Sequence, residues 1–430
     1  MRATASPCLL REIGRWSLTA GVVNSVIGSG IFGLPSAVAR LLGPRSPLAV
    51  LLAGVLVFIV VLCFAEVGSR FDDAGGPYLY TRETFGPAAG FQVGWLLVWT
   101  RLLSGAAALN ILVAYAGTMA PGVLTPVGRA LTMIAGTVIV TAINIAGVRN
   151  AAWTVNVFTV AKIMPLVLLI GAGMSHLNKN IFATQIVPSP NWTEAVLLLV
   201  FAYGGFESAV IPASEARHPK RDTAFALIVA MAAVTALYFL VQLTIVGTLP
   251  HAAESSTPIA SALGQVMGPV GSTIGSLGVV VSVYGWLLGF AMLTPRILFS
   301  MAQRGELPRF IGSVHPRFRT PHAAVIANSI AVLTLSLFSS FAQAATLAAI
   351  ARLAIFVFTC AALIAFRSRY RESPGFRVPC GRFVALAAIL FSIWLIATRN
   401  FAQTWILIVI VTAGTILWML SAKRRSLQAL

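Results

Sequence analysis

The dominant pattern along the chain is a succession of apolar stretches separated by short polar segments. A helix needs about 20 apolar residues to cross about 30 Å of hydrocarbon. Lipid offers the backbone no hydrogen-bond partners, so stretches of this kind must be helical. The pattern predicts an all-α membrane protein with twelve spans and no soluble domain. The spans are 17–40, 46–69, 88–120, 127–148, 152–174, 192–213, 223–249, 270–302, 322–340, 344–366, 381–398 and 401–421.

The distribution of basic residues predicts the orientation of these spans. Most of the thirty Lys and Arg residues fall in segments on the same side as the N-terminus. Cytoplasmic segments of membrane proteins carry such an excess, so we expect a multi-pass protein of the cell (inner) membrane with both termini in the cytoplasm. The longest polar connections, at 71–86, 304–320 and 367–378, then lie inside. The opposite loops hold only Arg40, Arg45, Arg129, Lys179 and Arg399.

The composition agrees with a lipid environment. The chain is 58% hydrophobic and only 10% charged, whereas soluble domains carry about a quarter charged residues. The net charge of +18 is interrupted repeatedly by apolar spans, and nucleic-acid binding requires a contiguous basic surface. We therefore expect lipid, and not nucleic acid, as the macromolecular surroundings.

Sequence patterns of catalysis and metal binding are lacking. The chain has no Gly-x-x-x-x-Gly-Lys-Ser/Thr loop and no serine nucleophile elbow. The histidines and cysteines have no metal-ligand spacing. The first apolar run also lacks the short core and cleavage site of a signal peptide, so we expect it to remain. The sequence predicts no enzyme activity, no cofactor and no metal site.

Two spans carry glycines near their centres. The first contains Gly28, Ser29 and Gly30, and the sixth contains Gly204 and Gly205. Close helix packing is one interpretation, because small residues are common where membrane helices touch. The alternative is a pair of helix breaks, since interrupted helices at corresponding positions of two halves indicate a transporter's substrate site. A broken helix exposes N–H groups that suit a carboxylate and C=O groups that suit an ammonium group.

The motifs around these glycines resemble those of the amino acid–polyamine–organocation permeases, which share the inverted-repeat fold of the leucine transporter. Each motif is short, but their order and spacing along most of the chain are specific. Spans seven to twelve match less sharply. The matching segments are 28–32, 75–80, 85–87, 201–207, 301–308 and 320–321, together with Glu215, the run 218–221 and Arg296.

The resemblance implies a five-plus-five inverted repeat with discontinuous helices one and six. The halves would be 17–174 and 192–366, with two peripheral helices over 381–421, in one transmembrane domain over 1–430. By the same resemblance, amides of the first turn would bind the substrate carboxylate, backbone carbonyls at the two breaks would bind its amine, and Phe201 would close over it. The implied substrate-binding positions are Val26, Ile27, Gly28, Ser29, Gly30, Phe201, Ala202, Gly204 and Gly205.

Ionisable residues inside the spans suggest further roles. Lys162, central in span five, is either a lysine that snorkels to the interface or a proton switch. Related proton-coupled permeases resemble this chain in having such a lysine near the sodium position of sodium-coupled relatives, which implies proton coupling. Glu207 would be a coupling carboxylate or a brace for unwound backbone.

Two arginines within the spans are too costly to face lipid. Arg101 and Arg352 could be structural, satisfied by carbonyls at helix ends. Otherwise Arg101 lines the substrate cavity and Arg352 the outer vestibule, which favours an anionic or strongly polar substrate. Arg101 departs from the related permeases, where this stretch is uncharged.

The sequence therefore predicts a secondary active transporter that moves amino acids by alternating access, coupled to protons. The alternatives are an amino acid or amine antiporter working in exchange or export, and a transport-inactive sensor with the same fold. A channel is disfavoured, because the spans show no rings of charge.

Overall fold

The fold is described by a computed structural model that covers residues 14–71, 75–147, 151–178, 187–209, 216, 218–369 and 375–428. Lys179 and Glu215, which the sequence analysis names, lie outside these ranges. The described residues form fifteen α-helices. These are α1 Arg15–Val26, α2 Gly30–Leu42, α3 Ser46–Gly68, α4 Gly76–Phe85, α5 Pro87–Met119, α6 Pro126–Ala146, α7 Ala151–Gly173, α8 Trp192–Ala202, α9 Phe206–Ala209, α10 Pro219–Thr248, α11 Pro258–Gln303, α12 His322–Phe338, α13 Phe341–Arg369, α14 Gly381–Ala397 and α15 Phe401–Gln428.

Helix ends follow ordinary local signals. Proline is the first residue of α5, α6, α10 and α11, where its missing N–H costs nothing and its fixed φ suits a helix. Thr125 and Asn191 cap α6 and α8, since their side chains accept hydrogen bonds from backbone amides three residues later. These five helices therefore begin with residues that suit a helix N-terminus.

A helix or a pair of helices occupies each of the twelve predicted stretches. By length and composition, seven helical stretches of the described chain could cross a membrane, and four shorter helices are also apolar. The predicted ninth and eleventh spans, the shortest expected, are the 17-residue helices α12 and α14. The protein is thus all-helical across the described residues, with multiple apolar helices.

Two details differ from the expectation. The connection predicted at 71–86 contains α4, a short helix that begins after Gly75 and packs against α5. The eighth stretch begins earlier than predicted, at Pro258, and kinks at Gly268, where φ is +67°. Neither helix segment has the long apolar run by which spans are recognised, so hydropathy alone could not place them.

Helix α5 lies at the centre and α14 and α15 at the periphery. In the most apolar 18-residue window of α5, 94% of the residues are buried, against 17% in α15. Large apolar side chains such as Phe383 and Trp405 are exposed on the peripheral helices. An apolar exterior around a packed interior is expected of helices surrounded by lipid.

Candidate functional site

The first helix break lies at 27–29, between α1 and α2. The Ile27 amide still bonds to the Val23 carbonyl, and helix resumes where Phe32 and Gly33 donate to Ser29. Within the described chain, no acceptor is recorded for the amides of the intervening residues 28–30. These groups form the free N-terminal end of α2, which favours a negative charge.

The second break lies at 203–205, between α8 and α9. The Gly205 backbone has φ of +118°, a conformation that side chains with a Cβ rarely adopt. Its amide donates to the Glu207 carboxylate at 2.8 Å, and the Gly204 amide donates to the Phe201 carbonyl. The helix is therefore interrupted at both places where the sequence has central glycines.

The two breaks are in direct contact. A Cβ at Gly30 would lie 2.8 Å from the Ala202 Cα, and one at Gly205 would lie 2.4 Å from the Ser25 carbonyl oxygen. Ser25 Oγ donates to the Gly205 carbonyl at 3.0 Å. Helix interruption and close packing, the two interpretations of the glycines, thus both hold here.

Tyr238 of α10 links the same two segments. Its hydroxyl lies 3.2 Å from the carbonyl oxygens of both Val26 and Ala202, so it donates to one or shares its proton between them. Sequence analysis missed Tyr238 and Ser25. Neither position belongs to a motif, and only the packing of α10 against α1 brings the hydroxyl to the breaks.

The backbone carbonyls expected to bind an amine are partly engaged. The Val26 carbonyl accepts from Tyr238, and the Phe201 carbonyl accepts from Gly204 and from Arg352 Nη1 at 3.3 Å. A carbonyl oxygen has two lone pairs, so one contact leaves capacity for another. The Val26 carbonyl can thus accept a second hydrogen bond, whereas the Phe201 carbonyl already accepts one from the Arg352 cation.

Lys162 lies against the first break. Its Nζ donates to both the backbone carbonyl and the side-chain oxygen of Asn24, each at 2.8 Å. The residue is 2% exposed, so its ammonium does not snorkel out of the bundle. Asn24 lies in the last turn of α1, where the helix dipole favours a cation. The sequence did not reveal Asn24 as the partner of Lys162, because an asparagine in a helix has no distinctive signal.

Glu207 and Arg352 form a buried ion pair beside the second break. Arg352 Nε donates to Glu207 Oε1 at 2.8 Å, and both residues are less than 5% exposed. The guanidinium also packs over the Phe201 ring and so closely on Gly204 that a Cβ there would overlap it. These contacts support the structural interpretation of Arg352, since the guanidinium is held by a carboxylate and a carbonyl at the break.

Arg101 lies in the centre of α5, and the structure shows no hydrogen-bond partner for it among the described residues. Its Nε and Nη2 atoms are buried and make no hydrogen bond among the described residues, and the residue is 8% exposed. Glu207 attracts its charge and Arg352 repels it, so all three belong to one electrostatic cluster. No group of three or more potential metal ligands occurs in the described chain.

Comparisons with known proteins identify relatives of the whole chain. The sequence model described as amino acid permease matches residues 13–421. The serine/threonine exchanger SteT of Bacillus subtilis (strain 168) is 27% identical, with 92% of each chain covered. The methylthioribose transporter of the same organism is 27% identical, over 98% of this chain and 95% of the relative. The putative arginine/ornithine antiporter of the same organism is 28% identical, over 90% of this chain and 92% of the relative.

Proposed function

Because the chain belongs to the amino acid permease family, a family of transporters and not of enzymes, we propose that it carries amino acids across the cytoplasmic membrane by alternating access. The observation that carries this proposal is the contact between two helix breaks, one of which leaves the amides of 28–30 without an acceptor among the described residues. Such breaks hold a zwitterion by its carboxylate and ammonium ends. The relatives named as exchangers and antiporters of amino acids support the substrate class.

The proposed architecture has twelve spans in a five-plus-five inverted repeat. Each interrupted span is followed by four further helical stretches, in 17–174 and in 192–366, and 381–421 adds two peripheral helices. This correspondence supports the repeat. One repeat bundle would rock against the other around the fixed site, with Phe201 closing over the substrate.

Proton coupling is proposed through Lys162. Its ammonium binds the last turn of α1 and thereby stabilises the end of the broken helix. Loss of the proton removes that charge, so the geometry of the break and substrate affinity become linked to protonation. The ion pair of Glu207 with Arg352 supports a brace for the second break in preference to a coupling role for Glu207.

The proposal is tested by transport into proteoliposomes of purified protein. A panel of the twenty amino acids is screened as unlabelled internal substrates for counterflow, and hits are assayed under an imposed pH gradient. Saturable uptake that collapses with a protonophore supports the proposal. Absence of counterflow for every amino acid in the panel would contradict the proposal. Binding without counterflow would favour a sensor.

Obligate exchange is the second candidate function, and the names of two relatives favour it. An exchanger requires an amino acid on the opposite side of the membrane, whereas a proton symporter accumulates substrate in empty vesicles. Comparing empty vesicles with preloaded ones at the same pH gradient separates the two mechanisms. Neither outcome depends on knowing the physiological direction of transport.

A further inference from the structure

Arg101 is buried in the protein without a counterion or a hydrogen-bond acceptor within the described residues. The two atoms left unpaired, Nε and Nη2, form one edge of the guanidinium. That edge matches the two oxygens of a carboxylate in a bidentate pair. An unpaired buried charge is strongly unfavourable, so a native protein is expected to compensate it.

Arg101 lies one helical turn from a residue of α5 that is connected to the first break through aromatic side chains. Gly105, one turn further along α5, faces Phe290, since a Cβ there would lie 3.2 Å from the ring. Phe290 stacks on Trp286 at 4.9 Å between ring centroids. The Trp286 Nε1 in turn lies 3.3 Å from a Cβ built on Gly28. A single aromatic pair therefore connects this face of α5 with the first break.

The other charges at the breaks do not compensate Arg101. Glu207, the carboxylate whose charge attracts Arg101, is already bonded to Arg352 and to the Gly205 amide. Lys162 adds a second cation whose partners are neutral oxygens of Asn24. The described core around the breaks therefore carries more positive than negative charge.

We propose that the substrate supplies the missing anion, and that it is an amino acid with an acidic side chain. The amides of the first break would take its α-carboxylate, and Arg101 would bind the distal carboxylate through Nε and Nη2. This inference rests on the proposed function and adds the charge class of the substrate. Cationic amino acids, which the names of several relatives assign to those proteins, are disfavoured here.

The test measures binding of matched pairs to the purified protein. L-glutamate is compared with L-glutamine, and L-aspartate with L-asparagine, by displacement of a bound radiolabelled amino acid. Wild type is expected to bind one acidic amino acid roughly 10- to 100-fold more tightly than its amide, because hydrogen bonds to charged groups contribute about 1.5–3 kcal/mol. In Arg101→Gln the ratio falls to about one, and Arg101→Lys retains part of it.

The control is Arg399→Gln, which removes another buried guanidinium, one that is paired with Glu194 away from the breaks. It should keep the wild-type ratio. Equal binding of acid and amide by wild type overturns the inference, and this result does not depend on whether Arg101→Gln folds. A preference for the acid that survives in Arg101→Gln also overturns it. Glutamine binding that requires chloride also overturns it, since a halide then neutralises Arg101. If the protein binds only neutral amino acids, the acidic substrate is ruled out but the transport proposal stands. If it binds no amino acid, both proposals fail.

Discussion

At the scale of single residues, the site is defined by buried charges that have very different partners. Lys162 donates to two oxygens of Asn24, whereas the Nε and Nη2 atoms of Arg101 have no acceptor in the described chain. A buried cation with good partners is stabilised in place, and one without them is available to a ligand. Lys162 and Arg101 are thus both buried cations, but they differ in their hydrogen-bond partners within the described chain.

Replacing Lys162 with alanine should abolish accumulation driven by a pH gradient. Without the ammonium, the end of α1 no longer depends on protonation, so binding and the proton gradient become uncoupled. Counterflow, which needs no gradient, should persist at a measurable rate. Both are measured in proteoliposomes containing equal amounts of protein.

Lys220→Met is the matched control for that change. Lys220 is the other lysine whose side chain the structure describes, and it is exposed at the start of α10. Gradient-driven accumulation should be unchanged in this variant. Accumulation that survives in Lys162→Ala would remove Lys162 from the coupling mechanism.

At the scale of elements, the interrupted helices depend on glycine where backbones touch. Gly205 has a positive φ, and a Cβ at this position would lie only 2.4 Å from the Ser25 carbonyl oxygen. Because that oxygen belongs to the backbone, no rotation of a side chain relieves the clash. The contact joins α1 to the segment before α9. The shape of the site is therefore fixed by two backbones in contact.

Gly205→Ala should lower both stability and substrate binding. The strained conformation costs on the order of 1–3 kcal/mol, and the clash separates the two breaks. The thermal midpoint in detergent and the affinity for substrate should both fall. Gly171→Ala is the control, because that glycine lies within α7 and a Cβ there meets nothing within 4 Å. An unchanged midpoint and affinity in Gly205→Ala would contradict the packing of the breaks.

The ion pair between α9 and α13 should show strong coupling. Removing one partner leaves a buried charge, which costs about 3–5 kcal/mol, whereas removing both can be nearly neutral. Glu207→Gln, with an unpaired Arg352, should therefore unfold at a lower temperature than the double variant Glu207→Gln/Arg352→Gln. Midpoints that simply add across this cycle would show that the pair contributes no coupling.

At the scale of the whole molecule, lipid determines what may face outward. Helices α14 and α15 expose large apolar side chains, whereas the buried carboxylates of Glu66 and Glu306 have arginine partners. Glu66, for example, pairs with both Arg70 and Arg367. The basic segments and the apolar spans together predict which side of the membrane each loop occupies.

The predicted orientation can be checked with cysteine labelling. Cys380, which precedes α14, is exposed, whereas Cys63 and Cys360 are buried. In a Cys8→Ala background, a membrane-impermeant maleimide should label Cys380 in inside-out vesicles but not in intact cells. Glu254→Cys with Cys380→Ala should show the reverse, since Glu254 is exposed in the connection between α10 and α11. Labelling of Cys380 in intact cells would refute cytoplasmic termini.

Much of the fold follows from sequence because the membrane removes alternatives. Apolar stretches of span length have to be helical in lipid, and the helices of the structure lie at those stretches. The breaks at 27–29 and 203–205 were also visible, because adjacent glycines within an apolar span weaken the helix locally. Helix α4 could not be predicted from the sequence, since ten residues of mixed polarity give no periodic signal.

The sequence by itself determined the helical membrane architecture, the family and the two places where helices are interrupted. Tertiary structure alone decided which residues interact at the breaks. The Tyr238 hydroxyl contacts a carbonyl at each break, Lys162 donates to Asn24, and Arg352 pairs with Glu207. The physical reason is distance along the chain. Hydropathy and glycine placement act within one helix, whereas hydrogen bonds and ion pairs join residues far apart in sequence and depend on how the helices pack.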